Sequence, residues 1–160
     1  ARREAKIVYN KAAIDALYAG MADGLIALGE AIIADAVQRA PKDTGDMSRT
    51  GYVTVFGQGK LVHGSGQVAA AKNKPRGVRT PKDQVVMIAA FASPIAHLQE
   101  LGTVKMAAHP FLAPALMANI RDAGPYVSGA MSRYAATASK RADNGAMMAA
   151  LRATAKAGGQ

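Results

Sequence analysis

Few side chains in this sequence have types and spacings that could do chemistry. Asp43-Thr44-Gly45, inside the stretch APKDTGDMSRTG at 40–51, has the outline of an aspartic-protease signature. That chemistry needs two carboxylates sharing one proton inside a two-lobed β fold. A chain of 160 residues could supply the pair only as a homodimer. The stretch also lacks the GxxxxGK[ST] pattern of a phosphate-cradling loop. A structural corner explains it better. Asp43 or Thr44 can accept backbone N–H groups in a local turn, and Gly45 can take positive φ where the chain reverses. His97 and Glu100 are spaced i, i+3, which could place two metal ligands on one helix face. No third ligand accompanies them, and His63 and His109 are scattered. Ser65, in HGSGQ, lacks the GxSxG spacing and the strand-to-helix context of a nucleophile elbow. Nothing brings nucleophile, base and orienting group together. The expectation is a protein that is not an enzyme and that uses no cofactor and no metal.

The charges carry more information. The formal net charge is +9, and it is unevenly spread. Residues 1–56 and 85–120 each balance to zero, whereas 57–84 hold six Lys/Arg against one Asp, and 121–160 hold six against two. Such blocks suit contact with something anionic, nucleic acid or an acidic protein surface. Lys60, Lys72, Lys74, Arg76, Arg79 and Lys82 form the dense set and are candidates for partner or DNA contact. No aromatic residues are interleaved with them, so base stacking is not suggested. Phosphate contact without sequence readout is what this set could do.

These side chains must be positioned by a small number of elements. From about Lys6 to Arg39, apolar residues recur at three- and four-residue steps, predicting a long amphipathic helix or two segments bent near Gly24. Pro41 ends it. GYVTVFG at 51–57 alternates as a strand, KLVHGSG at 60–66 is its partner, and GQG is the turn between them. Residues 64–84 read as a long exposed loop rich in Gly, Pro and Lys. VVMIAAFA at 85–92 is apolar on both faces and predicts a central strand. SPIAHLQELG at 93–102 predicts a short helix. A further helix should begin near Ala113 or Pro114 and break at Gly124-Pro125. Beyond it come two weak alanine-rich helical segments, expected to dock on a partner or stay loose. The fold class expected is α+β: a long N-terminal helix on a small antiparallel sheet, a short helix and C-terminal helices. The core domain would span 1–122, with 123–160 an extension.

Composition adds limits. There is no cysteine, which excludes disulfides and thiol chemistry and suits a reducing compartment. No apolar run approaches the roughly 18 residues a membrane span needs. The first ten residues have no apolar segment behind their basic ones, so they do not read as a signal peptide.

Two stretches together carry a resemblance. The first is Ala40, Pro41, Asp43, Thr44 and Gly45, then Met47 and Thr50. The second is IAHLQELGTVKMAAHPFLAPAL, with Ile95, Ala96, Glu100, Leu101, Gly102 and Thr103, then Pro110, Phe111, Leu112, Pro114 and Ala115. Over about residues 8–120 the chain resembles the tail-completion, or neck, proteins of long-tailed bacteriophages, typified by the tenth gene product of phage Hong Kong 97. It departs from that pattern at Ile95, Met47 and Thr50, where tyrosine, leucine and serine are usual. Its 64–84 loop is longer than the family minimum. The resemblance implies a virion structural protein at the head–tail junction, assembled in the bacterial cytoplasm. It implies a homo-oligomeric ring of six or twelve copies around the DNA channel. The implied partners are head-closure, tail-terminator or tail-tube proteins and the viral DNA passing through, with no membrane. It also implies structural roles for Pro41, Asp43, Thr44, Gly45, Glu100, Gly102, Thr103, Pro110, Phe111 and Pro114. The alternative is a sequence-independent nucleic-acid-binding protein working through the basic loop and tail. A small hydrolase using Asp43, or His97 with Glu100, is the third.

Overall fold

The computed structural model describes residues 11–42, 47–66 and 79–157. The fold is α+β. A long helix, α1 (Lys11–Arg39), is followed by a 3₁₀ turn at Met47–Thr50 and the strands β1 (Gly51–Gly57), β2 (Lys60–Gly66) and β3 (Val85–Phe91). Three helices follow: α2 (Ala96–Leu101), α3 (Leu112–Asn119) and, after a 3₁₀ turn at Ile120–Asp122, α4 (Ala123–Ala157).

The sheet is antiparallel with strand order β2-β1-β3. β1 and β2 are joined by a two-residue turn in which Gln58 (φ 52°) and Gly59 (φ 76°) both take positive φ. This is the hairpin turn whose twist matches the strands. A bulge between Val55 and Phe56 leaves Val62 as the extra residue of β2. The central-strand expectation for 85–92 is corrected: among the described residues β1 is central and β3 lies at the edge. Its two apolar faces are real, because Met87, Ala89 and Phe91 pack toward α1 while Val86, Ile88 and Ala90 alternate to the other side. An apolar strand pattern reports burial of faces and says nothing of the edge.

α1 is one helix, and its glycines explain its packing. A Cβ at Gly20 would lie 2.9 Å from Cα of Met131, and one at Gly24 would lie 2.6 Å from Cα of Val127. α4 therefore crosses α1 at backbone contact, antiparallel to it. Gly29 instead makes room for a side chain of β1: a Cβ there would sit 2.6 Å from Cγ1 of Val53. By length and composition α1 is apolar enough to cross a membrane, which corrects the expectation that no segment is. An alanine-rich helix reaches that average without an unbroken apolar run, and here Leu28, Ile32 and Ala36 spend it in the core.

The C-terminal region is also corrected. Residues 123–157 form a single helix, and its first half is not loose: Ala130 is fully buried. The break expected at Gly124-Pro125 falls earlier, as the 3₁₀ turn at Ile120–Asp122. Pro125 then sits in the first turn of α4, where its missing N–H has no intrahelical partner to lose.

Candidate functional site

Among the described residues, several of those that carry the resemblance meet in one place. Ala40 and Met47 from the first stretch and Ala96, Phe111 and Ala115 from the second share one buried cluster with Leu28, Ile32 and Ala36. Phe111 is the largest side chain in it, 1% exposed. Its ring meets Phe91 edge-on, with centroids 5.1 Å apart and planes at 81°. Thr50 ties the first stretch to the end of β3, just before the second, by hydrogen bonds. Its hydroxyl donates to the Met47 carbonyl (2.7 Å) and accepts the Ser93 N–H (3.2 Å), while its carbonyl accepts the Ala92 N–H (3.0 Å).

Glu100 has a role that its position in α2 does not announce. One carboxylate oxygen accepts the N–H groups of Phe111 and Leu112, both at 2.9 Å, and the other accepts that of Ala113 at 2.8 Å. These are the donors at the start of α3, which have no partner within the helix. The next residue, Pro114, has no N–H. The first turn of α3 is thus satisfied by one side chain arriving from eleven residues upstream and one proline. Partial burial pushes the Glu100 pKa up, and the three backbone N–H groups together outweigh that and hold it below the ordinary value. Phe111, at the N-cap, offers no side-chain cap of its own. That missing Ser, Thr, Asp or Asn before FLAPAL was the sequence signal for a cap from elsewhere.

Gly102 ends α2 at φ 73°, its N–H donating to the Leu98 carbonyl at 2.8 Å. A Cβ there would meet the Ala108 nitrogen at 2.7 Å, so only glycine fits this turn. Thr103 and Met106 exchange backbone hydrogen bonds across a tight loop whose tip, Val104, is fully exposed. His109 N–H, bonded to the Gln99 carbonyl at 2.8 Å, returns the chain to α2. Pro110 is exposed and Pro41 and Pro114 are half-buried. Asp43, Thr44 and Gly45 lie outside the described residues, as do Lys72, Lys74 and Arg76.

The chemistry candidates stay apart. His97 is exposed on α2, His63 faces the α1 side of β2 and His109 lies in the loop before α3. Both Glu100 oxygens are engaged, so His97 gains no second ligand. Among the described residues no cluster of three or more His, Asp or Glu could hold a metal. The shallow pocket beside His97 is lined mainly by apolar groups, including Phe91, Leu101 and Phe111. Ser65 lies within β2.

The basic residues converge instead. Gln58 donates to Asp15 at 3.5 Å, so the start of α1 sits at the β1–β2 turn. Lys60 follows that turn, and Thr80 and Lys82 pass over Gly59. α4 runs antiparallel to α1 toward the same end, its Tyr134 hydroxyl donating to Asp23 at 2.6 Å. From the Gly24–Val127 and Gly20–Met131 contacts, equal helical rise places Lys140 and Arg141 level with Lys11. Lys60, Arg79, Lys82, Lys140 and Arg141 are all exposed. Two basic blocks separated in sequence are thus gathered toward one end of the molecule. No family model, curated protein or solved structure matches this chain.

Proposed function

We propose that this chain is a structural protein of the phage head–tail junction. In this reading it forms a ring around the DNA channel and joins tail to head. The observation that carries it is the joining of the two motif stretches. Residues of both build one core cluster, Thr50 fastens the first to the end of β3, and Glu100 clamps α3. Thr50, Glu100 and Gly102 position backbone, and Ala40, Met47, Ala96, Phe111 and Ala115 fill the core, which is the work of a scaffold. The basic end supports the second half of the reading. A charge-only surface suits DNA that must slide past without being read.

Light scattering and negative-stain imaging of the purified chain in moderate salt test the proposal. Closed rings of six or twelve copies are the expected result. A strict monomer that stays so in the presence of head and tail components would sink it. The basic end also favours a second reading, a sequence-independent nucleic-acid-binding protein. That reading requires tight, steeply salt-dependent DNA binding by the isolated monomer.

A further inference from the structure

β3 has the composition of a strand with neighbours on both sides, yet among the described residues it has one. Its seven residues contain no charge, no proline and no bulge, the devices that normally blunt an edge. Its free edge can be read from the ladder. Gln58 N–H donates to the Gln84 carbonyl at one end of the β1–β3 pairing and Ala92 N–H to the Thr50 carbonyl at the other. The antiparallel alternation then turns the backbone groups of Val86, Ile88 and Ala90 toward β1, and those of Val85, Met87 and Ala89 outward.

A groove of ≈ 310 Å³ runs beside that edge, lined by Ile32, Met87, Ile88, Ala89, Leu112 and Leu116. Its wall is α3, which packs on α1 and scarcely touches β3. α3 thus stands across that groove from β3, with Leu116, Met117 and Ile120 exposed. The opposite edge is the converse. α1 covers β1 and β3 but scarcely touches β2, and Val62, 52% exposed, stands on the uncovered α1 side of that strand. One edge has a helix without a strand beneath it. The other has a strand without a helix above it.

We infer that β2 of a second copy seats on the β3 edge, beneath α3, and continues the sheet. This rests on the ring reading above. β2 and β3 both run antiparallel to β1, so the added strand lies parallel to β3. With strand ends flush, Lys60 of the added copy comes level with Val85, since both pair with Gly57 in their own sheets. It then lies beside the exposed Asp83, while Lys82 of the receiving copy folds back over its own Gly59. The charges match as the shapes do. A β3-to-β3 pairing across a twofold fits less well, because α3 of each copy would run into the α1 that covers the other's β3. The β2-to-β3 contact is heterologous: each copy gives one edge and receives another, and such contacts close into rings.

The chain has no cysteine, so cross-linking can test the contact directly. Val62→Cys and Leu116→Cys are made as separate proteins, mixed, and treated with a short bis-maleimide. The expected product is the mixed 62–116 dimer, in several-fold excess over either homodimer. Adding Ala89→Pro to the Leu116→Cys protein should abolish it with the circular dichroism unchanged, because an edge strand tolerates proline at an outward N–H. If that variant does not fold, Asp83→Lys should lower the mixed yield and Lys60→Glu on the partner should restore it. Predominance of either homodimer, or no product, overturns the inference. Closed rings without the 62–116 product would remove the edge pairing and leave the ring. Open chains carrying the 62–116 product, without rings, would do the reverse.

Discussion

At the scale of single residues, Glu100 concentrates the most consequence. Replacing it by Ala leaves the N–H groups of Phe111, Leu112 and Ala113 without their acceptor. Loss of a helix cap costs about 1–2 kcal/mol, and urea denaturation should show a loss of that size for Glu100→Ala. Glu100→Gln keeps one acceptor oxygen and should lose about half as much. The pH dependence has a definite sign. The folded-state pKa is depressed, so the stabilisation is fully present above the ordinary glutamate value of about 4.3. It is lost as pH falls through the lower folded value. Unfolding midpoints measured from neutral to acid pH should therefore drop more steeply for the native chain than for Glu100→Gln. Equal slopes would remove the clamp from the account of acid stability.

At the scale of elements, glycine decides how helices meet. Gly24 lies against the Val127 backbone, whereas an added Cβ at Gly145, on the same α4, meets nothing within 4 Å. Helix propensity alone favours alanine at both sites by about 1 kcal/mol. At Gly145 that gain should appear undiminished. At Gly24 the opposing atoms are backbone and cannot turn away, so overpacking, typically about 1–3 kcal/mol, should win. Thermal melts of Gly24→Ala and Gly145→Ala should shift in opposite directions. Limited proteolysis of Gly24→Ala should also cut sooner within 123–157, since α4 must lift to admit the methyl group. A stabilised Gly24→Ala would mean that the two helices are not in backbone contact.

For the whole molecule, the relevant quantity is where the charge lies. The blocks at 57–84 and 121–160 are distant in sequence, and the antiparallel course of α4 brings Lys140 and Arg141 to the end that holds Lys60, Arg79 and Lys82. If that end contacts DNA, the salt dependence of binding reports the number of phosphates engaged, with a slope near −0.9 per contact. Changing Lys140 and Arg141 to Ser should lower the magnitude of the slope measured on the native chain by about 2. Ring assembly, driven by other surfaces, should be unchanged. An unaltered slope would assign the basic end to an acidic protein partner.

The sequence by itself determined the elements and most of their order. Alternation in GYVTVFG, the Gln58-Gly59 turn, the proline after α1 and the glycine after α2 are local signals, and local backbone preference answers to them. It also held the two motif stretches and the two basic blocks. Only the tertiary structure decided how these are brought together. Glu100 is eleven residues from the N–H groups it caps, a distance at which helical periodicity carries no information. VVMIAAF has the same alternation at an edge as in the centre of a sheet, because side-chain patterning records which faces are buried and never which backbone groups are paired. Gly20 and Gly24 weaken a helix on any local scale, and their purpose appears only when a second helix, more than a hundred residues later, comes to rest on them.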